Sequence, residues 1–249
     1  MSILPLRIAC GDRNLYAMLH GSGDDLVLIL PPLAEERKGA VRPLAEWARK
    51  HASQGGAALF FDYGGCGESP GEFSDVTWQS LREDASAALQ IARARAGGRP
   101  VACLACRLAA RLAVETAAAQ PEAVRKLCLW DPVFDGHLWL RELRRRSRFR
   151  GSGVIVSEAG EDIDGTFIGR RFIEDLENMR GLPPTPSCPA LMIAFANRSA
   201  PAAVSEAAAQ WHAELQCVDM PSFWQESDPP CAEALLAHTM TWLSAAPHK

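Results

Sequence analysis

Short, uninterrupted runs of apolar residues constrain the fold of this chain more than any other feature of its sequence. Two such runs, 26–30 and 57–61, contain no polar side chain, and a third begins at Val101. Each run is followed by a segment with helical periodicity. A strand without polar alternation is covered on both faces, and strands that alternate with helices form a mostly parallel sheet. The pattern therefore predicts an α/β fold with a doubly wound sheet.

The alternation spans most of the 249 residues. Predicted strands cover 6–10, 14–20, 26–30, 57–61, 126–130, 190–196 and 214–219, in addition to the strand that begins at Val101. Predicted helices cover 41–50, 78–95, a segment ending near 119, 202–212 and 231–243. Between 133 and 186 the alternation stops, and a charged helix, a glycine-rich stretch at 151–153 and a second helix near 168–180 intervene. We expect a single domain over 1–249, with a helical lid inserted at about 133–186.

Composition and charge narrow the class of protein. The net charge is −4, without a long block of one sign, which disfavours nucleic acid as a partner. The basic run 141–150 is expected to form a solvated helix face. The first residues lack the long apolar segment of a signal peptide, and no later stretch is long and apolar enough to span a membrane. We therefore expect a cytoplasmic protein.

The cysteines favour neither disulfides nor a metal centre. Five of the eight lie in or beside predicted strands, where a free thiol behaves as a small apolar side chain: Cys103, Cys106, Cys128, Cys188 and Cys217. No spacing typical of metal ligands stands out. We expect no metal and no cofactor.

The most informative turn follows the strand that begins at Val101. There the sequence Ala105-Cys106-Arg107-Leu108-Ala109 leads directly into an alanine-rich helix. Together with the order of strands and helices, this turn resembles the nucleophile elbow of the α/β-hydrolase superfamily, whose pattern is Gly-x-Ser-x-Gly. The resemblance implies the α/β-hydrolase fold. A guanidinium stands where that family carries the serine hydroxyl.

Four further motifs narrow the resemblance. They are PPLAEERK at 31–38, DYGGCGESPGEF at 62–73, DVTW at 75–78 and PSFWQ at 221–225. Together they resemble the hydrolase-like proteins encoded alongside the exosortase A system, which also show arginine in the elbow. The resemblance implies a role connected with exopolysaccharide export and protein sorting at the cell envelope.

The residues of a Ser-His-Asp triad are missing from their expected places. No serine lies between Ser86 and Ser147, so a small shift in alignment cannot supply a nucleophile to the elbow. Asn197 stands where the acid is expected, and Phe223 and Trp224 stand where the histidine loop is expected. A conventional serine-hydrolase mechanism is therefore not expected.

Other chemistry at the elbow has two interpretations. Arg107 at a helix N-terminus could bind a carboxylate, a phosphate or an oxyanion, or it could pair internally with Glu35 or Glu36, and both can hold together. The Cys106 thiolate could be stabilised by this environment, but an inert packed cysteine fits its strand position better. Asp131 ends a predicted strand and could pair with His137, although Asp-Pro at a strand end is more often a turn.

A largely apolar pocket is expected between the strand ends and the lid, with Arg107 at its floor. Its predicted lining is Leu33, Trp130, His137, Asn197, Phe223 and Trp224, and Trp139 is expected nearby. Such a pocket indicates a small acyl or anionic ligand.

Two functional hypotheses follow. The first is a hydrolase of an ester, thioester or amide that lacks the conventional triad, in which Arg107 binds an oxyanion and Glu35, Glu36 or Asp131 supplies the base. The second is a catalytically silent binding protein for an anionic or acylated ligand. The sequence leaves open which is correct, and it leaves the oligomeric state open.

Overall fold

A computed structural model describes residues 2–196, 199–222 and 232–245. Eleven strands occur among them: β1 Ile3–Cys10, β2 Arg13–Gly21, β3 Leu26–Leu30, β4 Ala57–Phe61, β5 Val101–Cys106, β6 Val124–Trp130, β7 Val154–Val156, β8 Gly160–Ile163, β9 Thr166–Gly169, β10 Ala190–Phe195 and β11 Glu214–Val218. The helices are α1 Glu36–Ser53, α2 Trp78–Arg95, α3 Ala109–Ala119, α4 Gly136–Phe149, α5 Arg170–Asn178, α6 Ala202–Trp211 and α7 Glu233–Ser244.

Eight of the strands form one sheet in the order β1-β2-β4-β3-β5-β6-β10-β11. The hairpin of β1 and β2 is antiparallel, and β2 joins β4 in antiparallel register. All other neighbours in this sheet are parallel. The prediction of a mostly parallel sheet is confirmed.

Helices cover both faces of the sheet. Residues of α1 and α7 pack on one face, and residues of α2, α3 and α6 pack on the other. The runs in β3, β4 and β5 are buried along their whole length because each face has its own helical cover. Among the described residues, no helix is both long enough and apolar enough to cross a membrane.

The segment between β6 and β10 contains α4, β7, β8, β9 and α5. The two predicted helices are present, but β7, β8 and β9 form an antiparallel sheet that the sequence pattern did not predict. Ile168, assigned to the second helix from the sequence, lies in β9. These strands have only three or four residues, which is too short for a period-2 pattern to stand out.

This segment is anchored on the main sheet's helices. Asp175 of α5 accepts a hydrogen bond from the backbone N–H of Trp78, at the first turn of α2, at 2.8 Å. Gly169, at the end of β9, is so close to the short 3-10 helix Phe73–Asp75 that an added Cβ would lie 1.9 Å from the carbonyl oxygen of Ser74. A side chain at Gly169 would therefore displace β9 from the 3-10 helix Phe73–Asp75.

Candidate functional site

The turn between β5 and α3 holds Arg107 in a left-handed backbone conformation, with φ +58°. This conformation is strained for a residue with a side chain, and it persists where the surroundings fix it. The Arg107 N–H donates to the carbonyl of Trp130 at 3.0 Å, and the Arg107 carbonyl accepts from the N–H of Val133 at 3.2 Å. The elbow geometry expected from the sequence is therefore present, with the arginine at its apex.

Three carboxylates from three different elements surround the guanidinium of Arg107. Its Nε donates to Oε1 of Glu36 at 3.0 Å, and its Nη1 donates to Oδ2 of Asp131 at 2.7 Å. Its Nη2 donates to Oε2 of Glu142 at 2.7 Å. Arg107 is only 4% exposed. These contacts tie the start of α1, the end of β6 and the middle of α4 to the elbow.

Further contacts extend this network. Oε1 of Glu36 also accepts from Nη2 of Arg146 at 2.6 Å, and Oε2 accepts from the indole N–H of Trp139 at 2.8 Å. Oδ1 of Asp131 accepts from the backbone N–H of Phe195 at 3.2 Å. We call Arg107, Arg146, Glu36, Asp131 and Glu142 the arginine cluster. Two guanidiniums face three carboxylates in it, so the cluster has one net negative charge when all are ionised.

The pKa values in the cluster diverge for physical reasons. Burial raises the pKa of Glu36, but the charges of Arg107 and Arg146 outweigh burial and leave that pKa below its usual range. For Asp131 burial dominates, and although Arg107 and the Phe195 N–H oppose it, the pKa is raised. Burial lowers the pKa of Arg107. The three carboxylates outweigh burial and leave that pKa above its usual value, so the guanidinium stays charged.

A cavity of about 500 Å³ opens beside the cluster, between α4 and α6. Apolar side chains make up much of its described lining: Pro132, Val133, Phe134, Leu138, Leu182, Pro201, Ala203 and Val204. Arg107 is the one basic residue among the described lining residues, whereas four are acidic: Asp131, Asp135, Glu142 and Glu206. The described lining is therefore apolar with an acidic floor and rim, which fits the acyl alternative expected from the sequence better than the anionic one.

The described lining of the cavity contains no serine, threonine, cysteine or histidine. Covalent catalysis needs an activated nucleophile beside a base, and the ionisable acceptors that remain in the described lining are carboxylates. Asp131 and Glu142 are the groups of the arginine cluster that face the cavity and can accept a proton. No group of three or more potential ligands suited to a metal ion occurs in residues 2–196, 199–222 and 232–245.

Of the two predicted partners of Arg107, only Glu36 contacts it. Glu35 binds Nζ of Lys38 at 2.7 Å and the hydroxyl of Thr166 at 2.5 Å instead. These residues diverge because Glu36 begins α1 and points inward, with 1% exposure, while the partly buried Glu35 side chain accepts from Thr166 at the start of β9. Glu35 is therefore not part of the site.

Cys106 does not contact the cavity. Its side chain is fully buried in the core beneath α1 and α7, on the face of the sheet opposite to α3. Burial raises the pKa of its thiol well above the usual value, despite the charge of Arg107. Burial therefore disfavours a stabilised thiolate, and the packed-cysteine interpretation agrees with this position.

Three predicted lining residues lie elsewhere. Trp130 is buried on the α7 side of the sheet, where its indole N–H donates to the hydroxyl of Thr239 at 2.8 Å. Leu33 is fully buried in the core on the α2 and α3 side. His137 is not among the described residues that line the cavity, and Asp131 bonds to Arg107 and Phe195 instead of to His137.

The remaining predicted lining residues, Asn197, Phe223 and Trp224, lie outside the described residues. Trp139 is fully buried and supports Glu36. Sequence reasoning missed Glu142 and Arg146. A signal existed, because Trp139, Glu142 and Arg146 follow the three- and four-residue spacing of one helix face, and Glu142 is the only carboxylate in α4.

Comparisons with solved structures identify the fold. Est1E from Butyrivibrio proteoclasticus superposes with TM-score 0.65 at 13% identity, over 96% of this chain and 97% of that one. The 2-hydroxy-6-oxo-6-phenylhexa-2,4-dienoate hydrolase from Rhodococcus sp. strain RHA1 gives TM-score 0.64 at 15% identity, over 98% and 99%. Alpha/beta hydrolase domain-containing protein 10 from mouse gives TM-score 0.63 at 17% identity, over 98% and 97%.

These similarities show that the chain has the α/β-hydrolase fold, as its sequence predicted. Identities this low carry the fold alone. No protein-family model matches the chain, and no curated protein is significantly similar to it in sequence.

Proposed function

We propose that this chain is a catalytically silent binding protein that holds an acylated ligand in the cavity between α4 and α6. The observation that carries the proposal is the occupation of the elbow by Arg107, whose guanidinium donates to Glu36, Asp131 and Glu142. The group at the apex of the elbow is engaged in holding the protein together.

An arginine at this position cannot replace the serine chemically. The guanidinium remains protonated, so it has no lone pair with which to attack a carbonyl carbon or to accept a proton. As an oxyanion donor it would have to exchange one of its carboxylate partners for the substrate. Removing one partner from a buried ion pair costs about 3–5 kcal/mol, which opposes that exchange.

The cavity lining indicates the class of ligand. Leu138, Val133 and Phe134 offer an apolar wall for an acyl chain. The carboxylates of Asp131, Asp135 and Glu206 repel a ligand whose head group is a carboxylate or a phosphate. They favour a ligand whose head group is neutral or cationic. We therefore narrow the expected ligand to an acyl chain with a neutral or cationic head.

A hydrolase is the second candidate, and one observation favours it. Asp131 faces the cavity with a pKa raised by burial, which brings a carboxylate closer to the range of a general base. In this reading Asp131 would deprotonate a water molecule for attack on an ester, thioester or amide. The ion pair with Arg107 opposes it, because the paired oxygen is already an acceptor.

Binding of a matched set of C12 probes tests the main proposal. Isothermal titration calorimetry would compare dodecylamine, methyl dodecanoate and dodecanoate against the purified chain. We expect the amine and the ester to bind and the carboxylate to bind at least 10-fold more weakly, since each 1.4 kcal/mol of repulsion is a factor of ten. Equal binding of all three, or tightest binding of dodecanoate, would contradict the proposed ligand class.

Two tryptophan variants locate that binding. Ala203→Trp fills the cavity from α6, whereas Ala209→Trp places the same side chain on an exposed part of the same helix away from the lining. We expect Ala203→Trp to abolish binding of the ester and Ala209→Trp to preserve it. Loss in both variants, or in neither, would place the ligand elsewhere.

We also propose that the protein is cytoplasmic and acts in exopolysaccharide export. The motifs at 31–38, 62–73, 75–78 and 221–225 support this pathway by their resemblance to the exosortase-associated proteins. The described cysteines are free thiols, which is usual in a reducing compartment. Cell fractionation and an assay of exported polysaccharide after removal of the protein test this assignment.

A further inference from the structure

The outward face of α4 combines basic and apolar side chains. The helix buries Trp139, Leu140 and Leu143 against the protein. The 3.6-residue period places the opposite side chains on one exposed face, which we call the α4 face: Leu138, Arg141, Arg145, Arg148 and Phe149. Three positive charges and two large apolar groups thus share one surface.

The charges of the α4 face are uncompensated by their neighbours. Arg141, Arg145 and Arg148 form no ion pair with any residue in the described part of the chain, whereas Arg144 and Arg146 on the inner flank are bound to Glu161 and Glu36. The whole chain has a net charge of −4. The positive potential is therefore local to this face and attracts an anionic partner.

The apolar groups of the α4 face protrude strongly. Phe149 is 82% exposed, and Leu138 is 42% exposed. Shortly after Phe149 the chain enters β7, which packs near α4 and exposes Ile155 by 70% and Val156 by 66%. Protruding apolar side chains next to arginines suit a partner whose surface is anionic and whose interior is apolar and deformable.

We propose that the α4 face docks the protein on a membrane surface that contains anionic lipid. Arginines at such a surface are attracted by the headgroups, and exposed aromatic and aliphatic side chains insert at the boundary with the acyl chains. The phosphates of a nucleic acid would form ion pairs with Arg141, Arg145 and Arg148, but they would provide no apolar contact for Phe149. The combination therefore favours lipid over a polyanion.

Docking has a consequence for the cavity. Leu138 belongs to the α4 face and also lines the cavity, so a docked α4 face brings the cavity rim to the lipid. An acyl ligand could then pass between membrane and cavity without crossing water. This consequence rests on the proposed binding function, whereas docking itself does not.

Co-sedimentation of the full chain with vesicles tests the proposal. Vesicles of phosphatidylcholine alone are compared with vesicles that also contain phosphatidylglycerol. We expect binding only to the latter, with affinity falling as salt is added. The triple variant Arg141→Gln, Arg145→Gln, Arg148→Gln should weaken binding on the order of 100-fold, since each arginine near an anionic surface supplies a factor of roughly five.

A matched triple variant controls for net charge. Arg49→Gln, Arg93→Gln and Arg95→Gln remove the same charge from exposed positions in α1 and α2, close to the amino ends of the parallel strands. Residue 136, where α4 begins, follows the carboxyl end of β6, so the two sets lie at opposite ends of the sheet. We expect the control to bind like the wild type. Equal loss in both triples would overturn the proposal.

The Phe149→Ser variant separates lipid from other polyanions. It should weaken vesicle binding at least several-fold and leave any binding to a DNA oligonucleotide unchanged. Vesicle binding that is insensitive to Phe149→Ser, or wild-type affinity for phosphatidylcholine equal to that for the anionic mixture, would contradict membrane docking. Circular dichroism confirms that each variant is folded. The C12 titrations contain no vesicles, so failure of docking and failure of the binding function are observed separately.

Discussion

Arg107 occupies the turn where the Gly-x-Ser-x-Gly pattern places its serine, and there it forms ion pairs instead. A buried guanidinium is tolerated only when its donors are satisfied, and here Glu36, Asp131 and Glu142 satisfy them. Because each carboxylate comes from a different element, the side chain joins α1, β6 and α4 at one point. A strained backbone at Arg107 is the local cost of that arrangement.

The contribution of Glu36 to stability should depend on pH. Its folded-state pKa is lowered by Arg107 and Arg146 despite burial, so its stabilising effect is present above the pKa of an unfolded glutamate and is lost as pH falls through the folded value. We expect Glu36→Gln to lower the free energy of unfolding by about 3–5 kcal/mol at neutral pH. The difference from wild type should shrink in acid.

Urea denaturation over a series of pH values measures this difference. The exposed carboxylate variant Glu122→Gln serves as the control and should change stability by less than about 0.5 kcal/mol. A Glu36→Gln effect that stays constant from neutral to acid pH would show that Glu36 is not held ionised by the two arginines.

The sequence predicted the Arg107–Glu36 pair as one of two alternatives but could not place Trp130. Cys106 and Trp130 are directly opposite each other in the pairing of β5 and β6, so their side chains point to the same face of the sheet. That face is covered by α7, and it is opposite to the face on which the cavity lies. When a strand is apolar on both faces, its sequence does not indicate which side chains point to which face of the sheet. The assignment of Trp130 to the pocket was wrong for that reason.

At the scale of elements, the segment between β6 and β10 covers the side chain of Arg107 at the elbow. Its helix α4 supplies Glu142 and Arg146 to the arginine cluster, and its Trp139 donates to Glu36 of that cluster. Its helix α5 caps α2 through Asp175. The long runs of β3, β4 and β5 made the main sheet predictable, whereas the docking of α4 depends on tertiary contacts that helical periodicity does not specify.

Removal of the Asp175 cap should loosen this segment. The N–H of Trp78 has no intrahelical acceptor, so Asp175→Ala leaves it without its partner and is expected to reduce stability by about 1 kcal/mol. The neighbouring exposed variant Glu174→Ala should have little effect. Thermal unfolding gives the stability, and hydrogen exchange of α5 reports the local loosening. Equal behaviour of both variants would show that Asp175 does not anchor the segment.

At the scale of the whole molecule, the α/β-hydrolase fold is present without the serine nucleophile of its elbow pattern. The chain superposes along almost its full length on proteins with hydrolase in their names, yet its elbow carries Arg107 and its described cavity lining lacks a hydroxyl, thiol or imidazole nucleophile. The sheet and its helical cover position whatever stands at the elbow. In this chain that position holds the core of an ion-pair network.

We propose that this chain with the α/β-hydrolase fold binds a ligand without catalysing hydrolysis. The most direct measurement is turnover of short- and long-chain acyl esters and thioesters by the purified wild type, beside Asp131→Asn and with a serine hydrolase as positive control. We predict background rates for both forms of this chain on every substrate. Turnover by the wild type that disappears in Asp131→Asn would contradict this proposal and make Asp131 the candidate general base.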